Sequence, residues 1–82
     1  MVSVSQFIKD EGNDTQSYIK WLLQKISKLQ DSGIEKHVFN CNMYHLEIDF
    51  KEKQIVIQFI FDDNEFLAIS IDSFYEQLFD CY

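Results

Sequence analysis

Three groups of side chains in this chain of 82 residues are of types that do chemistry. His37, Cys41 and His45 recur every four residues, and with Cys81 they supply the donor types of a four-ligand zinc site. On one extended strand, however, four residues cover about 13 Å, more than a single ion bridges. The spacing therefore predicts no metal centre, and the two cysteines read as reduced thiols, not as a disulfide. His45, Glu47 and Asp49 alternate along a strand and share a face, as an acid and base pair would. No Ser or Cys nucleophile sits on a strained turn beside them, and two glycines leave no loop to cradle a phosphate. A solvated strand face is expected, in a protein that is not an enzyme and holds no cofactor.

The third group is acidic. Asp62, Asp63 and Glu65 crowd one loop, and Asp72, Glu76 and Asp80 recur every four residues along a helical pattern. Like charges at this spacing destabilise a helix by a few tenths of a kcal/mol, and Asp80 near the C-terminal end also opposes the helix dipole. An arrangement that costs stability points to use elsewhere. Tyr75, Phe79 and Tyr82 lie beside these carboxylates, and aromatic anchors flanked by acidic groups suit docking onto a basic cleft, with carboxylates where phosphates would otherwise lie. Trp21, off the apolar stripe of its own helix, either packs against the N-terminal segment or is a further partner-binding aromatic.

Stepwise hydrophobic patterning predicts the elements that position these groups. A short helix capped by Ser3 or Ser5 runs through Phe7 and Ile8 to Gly12, with an edge strand using Val2 and Val4 as the alternative. A long helix over Asp14 to Asp31 follows, opened by an Asn13/Gln16 capping box and closed at Gly33, with Ile19, Leu22, Leu23, Ile26 and Leu29 in one stripe. Period-two alternation begins near Lys36 or His37, is interrupted at a bulge near Asn42, and gives a strand proper from Met43. A turn at Glu52-Lys53 would set Phe50 opposite Ile55, Ile48 opposite Ile57, Leu46 opposite Phe59 and Tyr44 opposite Phe61. A three-residue loop with Asn64 left-handed would then align Leu67 with Phe59, Ile69 with Ile57 and Ile71 with Ile55 in a third strand, Glu65 to Ile71. Ser73 and Glu76 form a capping box for a last helix, Phe74 to Cys81. The fold class is thus α+β: a three-stranded antiparallel meander packed on a long N-terminal helix, with a short C-terminal helix, in a single domain over 1–82. The expected core is Leu22, Ile26, Leu46, Ile48, Ile57, Phe59, Leu67 and Ile69.

Charge limits the partners. Fourteen acidic residues stand against seven basic ones, for a net charge of −7. A nucleic-acid binder needs a basic patch to displace counterions, so direct nucleic-acid binding is disfavoured. The start, MVSVSQFIKDEG, lacks the basic region and apolar centre of a signal peptide, and no apolar run approaches a bilayer span, so the expectation is a cytoplasmic protein without membrane contact.

A short, acidic α+β chain with an antiparallel sheet, a long helix and an acidic-aromatic surface resembles the immunity proteins that neutralise bacterial toxins, including partners of contact-dependent growth-inhibition toxins. Barstar-type ribonuclease inhibitors are similar by analogy, although their parallel sheet is not what this chain predicts, and only the acidic plug carries over. The resemblance implies a stoichiometric inhibitor of a basic toxin domain, an RNase or a DNase. The residues expected to bind it are Asp62, Asp63, Glu65, Asp72, Tyr75, Glu76, Phe79, Asp80 and Trp21, in a monomer or weak homodimer. The same charge pattern suits a phage-type nucleic-acid mimic acting on a restriction or CRISPR nuclease, and a sheet edge suits a non-enzymatic adaptor.

Overall fold

The computed structural model describes residues 2–12 and 14–81. Ser3 opens α1 (Val4–Glu11): its side chain accepts the Gln6 N–H at 3.0 Å, and the Gly12 N–H closes the helix on the Ile8 carbonyl. Asp14 opens α2 (Thr15–Asp31) by accepting the Ser17 N–H at 3.3 Å; Asn13, the expected partner of Gln16 in a capping box, lies outside the described residues. Gly33, at φ +80°, takes the left-handed conformation that ends α2.

Four strands follow, β1 (Lys36–Asn40), β2 (Tyr44–Asp49), β3 (Gln54–Phe59) and β4 (Phe66–Ser70), then α3 (Ile71–Cys81). They form one antiparallel sheet in the order β1-β2-β3-β4. The expected three-stranded meander is thereby corrected to four strands. The bulge anticipated near Asn42 is instead a reversal: the Cys41 N–H meets the Tyr44 carbonyl at 2.9 Å, and β1 folds back on β2. The expected packing on a single long N-terminal helix is corrected as well, because α1 precedes α2 and all three helices share the covered face. Val4, Phe7 and Ile8 of α1, Ile19, Leu22 and Ile26 of α2, and Phe74 and Leu78 of α3 meet Leu46, Ile48, Ile55 and Ile57 in one core.

Both hairpins are displaced by two residues from the expected registers. Ile48 faces Ile55, Leu46 faces Ile57 and Tyr44 faces Phe59, while Ile55 faces Ile69 and Ile57 faces Leu67. An even slip keeps every side chain on its face, so Leu22, Ile26, Leu46, Ile48 and Ile57 are fully buried and Phe59, Leu67 and Ile69 pack partly buried against them. The cause is turn chemistry. A two-residue hairpin turn requires positive φ, which Glu52-Lys53 supplies poorly. Instead the chain uses residues 50–53: the Asp49 carboxylate accepts the Glu52 N–H at 3.0 Å, and Lys53 alone is left-handed, at φ 57°. Between β3 and β4, Asn64 is not left-handed. Residues 60–65 are held by the Gln58 side-chain amide, 3.2 Å from the carbonyl oxygens of Phe59, Asp62, Asp63 and Glu65. Phe61, expected opposite Tyr44, is left 70% exposed. The Ser73 cap is corrected too: Ser70 accepts the Ser73 N–H at 3.1 Å, so α3 begins three residues earlier and the first-turn residue Ile71 is buried.

Gly12 marks a close approach. A Cβ there would lie 2.8 Å from Cβ and 3.0 Å from Cγ of Tyr18, atoms fixed to the backbone of α2. Gly12→Ala is therefore expected to cost about 1–3 kcal/mol through overpacking. Gly33→Ala, with open space but a left-handed backbone, should lose about 1–2 kcal/mol. Urea melts of the two variants, each combined with Tyr18→Gly, separate the causes: loss of the Tyr18 ring and Cβ should relieve the first variant and not the second.

Candidate functional site

The residues expected to bind a partner fall into three places. α3 presents Asp72, Glu76 and Asp80 to solvent, with Phe79 63% exposed beside them. Tyr75 is half-buried against Phe74, and burial, followed by the Asp72 carboxylate, raises its phenol above the ordinary value. Asp80 shares a cleft of about 410 Å³ with Lys9, Ile8 and Gln16, so its surroundings are less uniformly acidic than those of Glu76. Tyr82, read as part of this aromatic side, lies outside the described residues.

Asp62, Asp63 and Glu65 sit at the far end of β4 from the start of α3. Asp62 serves its own loop: its carboxylate accepts the Asn64 N–H at 3.0 Å and its carbonyl the Glu65 N–H at 3.0 Å. Asp63 faces the uncovered side of the sheet beside His45 and Glu47, whereas Glu65 lines a hollow with Val2, Asp10 and Tyr44 on the helical side. The three carboxylates are thus close in sequence but diverge in space.

Trp21 lies at the opposite edge of the sheet. Its ring stacks on Tyr18 at 5.7 Å and meets the edge of Phe39 at 6.2 Å, so it packs on β1 as well as on its own helix. These contacts belong to a continuous run of rings, Phe61, Phe59, Tyr44, Phe7, Tyr18, Trp21, Phe39 and His37, with successive centroids 4.6 to 6.2 Å apart.

The weighed metal set is dispersed. The β1–β2 reversal leaves His37, opposite Ile48, on the covered face and His45, opposite Asn40, on the uncovered one, and both cysteines are free thiols. Among the described residues no three His, Cys, Asp or Glu side chains converge as ligands. His45, Glu47 and Asp49 do share the uncovered face. Asp49 is committed to Lys36 at 3.6 Å and to the following turn.

A polar corner was not read from the sequence. The Glu11 carboxylate accepts the N–H groups of Asn42 at 2.9 Å and Met43 at 2.8 Å, and Asp10 accepts the Tyr44 hydroxyl at 2.6 Å and the Gln6 amide at 2.8 Å. Two acidic side chains of α1 thereby clamp the β1–β2 reversal. Burial and then the Asp10 hydrogen bond push the Tyr44 phenol well up, and burial and neighbouring Cys41 do the same for Tyr18; burial and then Glu11 raise the Cys41 thiol above its ordinary value, against a hydrogen bond with Tyr18 that lowers it.

These shifts have one sign. Phenols in the unfolded chain ionise near pH 10, so above that value the unfolded state sheds protons that the native state retains, and stability falls as pH rises. Full stability from these groups is expected below about pH 7.5, one unit under the ordinary value of a cysteine thiol, with the steepest decline above about pH 10. Urea melts across this range should show Tyr44→Phe flattening the alkaline slope by about 1.4 kcal/mol per pH unit.

No helix among the described residues is long and apolar enough to cross a membrane. No protein-family model, curated protein or solved structure matches the chain.

Proposed function

We propose that this chain is a non-enzymatic, toxin-neutralising immunity protein that binds a basic nuclease domain and blocks it. The observation that supports this reading is the exposed face of α3, where Asp72, Glu76 and Asp80 stand beside Phe79, a large aromatic that is 63% exposed. Exposed aromatic area with flanking carboxylates is the composition of an interface anchor with an electrostatic rim, and a net charge of −7 speeds encounter with a basic partner. Because β4 separates the 62–65 loop from the start of α3, the helix is the principal docking element and the loop a secondary one. Inhibition is stoichiometric and takes place in the cytoplasm.

The test is capture of partners from the source organism on the tagged chain, followed by nuclease assays of any co-purifying protein. A basic nuclease inhibited at one equivalent supports the proposal. Capture of a restriction or CRISPR nuclease would transfer the same surface to a nucleic-acid mimic. Self-association without a basic partner would favour an adaptor and overturn the immunity reading.

A further inference from the structure

At the other edge of the sheet, away from α3, a groove of about 450 Å³ runs between α2 and β1. Trp21, Lys25, Lys28 and Leu29 line it from the helix, at positions that repeat on one helical face, and His37 and Phe39 line it from the strand. In a chain so acidic its two charged lining residues are both lysines, and neither has a carboxylate partner among the described residues. Trp21 is 44% exposed although it is held on two sides by Tyr18 and Phe39.

The strand beside the groove is also unfinished. The Glu35 carbonyl meets the Phe50 N–H at 2.7 Å and the Cys41 N–H meets the Tyr44 carbonyl at 2.9 Å, which marks the odd-numbered residues on the β1 side of this hairpin, with their even-numbered partners on the β2 side, as the hydrogen-bonded ones. By the alternation of an antiparallel ladder, Lys36, Val38 and Asn40 turn their backbone N–H and C=O groups outward, away from β2. β1 is an edge, so among the described residues those groups have no strand to pair with.

We propose that β1 and this groove form a docking site for an extended acidic segment of a partner protein, which adds as a fifth strand along β1. The unpaired backbone edge selects a peptide over a small molecule, because only a second backbone pairs it. Side chains opposite His37 and Phe39 would point toward the helices, two residues apart. An aromatic residue opposite Phe39 lies against Trp21, and an acidic residue opposite His37 meets Lys25 and Lys28. The recognised pattern is therefore acidic-x-aromatic, or its reverse, according to strand direction. This site is separate from the α3 surface and takes the opposite charge, so its outcome is independent of the nuclease-binding proposal.

Trp21 is the sole tryptophan, and its emission reports the site directly. The probes are two end-blocked pentapeptides, Ser-Glu-Val-Phe-Thr and Ser-Phe-Val-Glu-Thr, titrated against the full chain. One of them is expected to change Trp21 emission saturably, with a dissociation constant below about 1 mM. Lys25→Glu combined with Lys28→Glu should weaken it about tenfold or more, and Lys20→Glu, outside the groove, should not. Val38→Pro removes an outward N–H that a strand edge can spare, and should abolish binding while circular dichroism shows the fold kept. Absence of a saturable change with both peptides, or binding that survives in both the lysine and the proline variants, would overturn the proposal.

Discussion

Ile57→Ala is expected to destabilise the fold by about 2–5 kcal/mol. Ile57 has no exposed surface and stands at the middle of β3, with Leu46 on one side and Leu67 on the other. Truncation removes the transfer free energy of three carbons and leaves a cavity whose walls are tied down by two ladders, so the site has little freedom to collapse. For a domain of this size, with a total stability of about 5–10 kcal/mol, that is a large fraction. Urea melts measure it, with Ile60→Ala as the contrast. Ile60 lies just past the strand, is 36% exposed, and should change stability by about 0.5 kcal/mol or less. A loss below about 0.5 kcal/mol at Ile57 would mean that the covered and open faces of the sheet are reversed.

The faces were legible in the sequence because they depend only on parity. Ile48, Ile55 and Ile57 keep the same side under any even slip, and the two hairpins slipped by two. The registers themselves were not legible, because they are set by the Asp49 carboxylate at one turn and the Gln58 amide at the other, each a side chain capping backbone groups several positions away. β1 was hidden for a related reason. Asn42 lacks the glycine that signals a tight hairpin, and what holds the reversal is Glu11, 31 and 32 residues back in the chain. Without a separate β1, Trp21 had only the N-terminal segment or a partner to meet; its position off the stripe of α2 is instead accounted for by Phe39 of β1 and by Tyr18 of its own helix. The acidic run of α3 was legible from four-residue spacing alone, whereas the divergence of Asp63 from Glu65 depends on how Gln58 gathers the loop.

Neutralising Glu76 and Asp80 together, to Gln and Asn, is expected to weaken binding to the captured nuclease by about 2–5 kcal/mol where they pair with buried basic groups. The two positions should not contribute equally. Asp80 shares its cleft with Lys9 of the same chain, while Glu76 is exposed one turn earlier on the helix. Glu76→Gln alone should therefore lose more affinity than Asp80→Asn alone. Association of the unmodified chain should slow as salt rises, and the double variant should show a shallower dependence, because fewer charges steer it. Stability should move the other way. Removing two like charges four residues apart, one of them at the helix C-terminal end, relieves repulsion of a few tenths of a kcal/mol and an unfavourable dipole interaction. A variant that melts at the same or a higher temperature yet binds more weakly has lost contacts, not structure. Unchanged affinity in such a variant would remove α3 from the interface and shift the test to Trp21 and to the uncovered sheet face, where Asp63 stands beside His45 and Glu47.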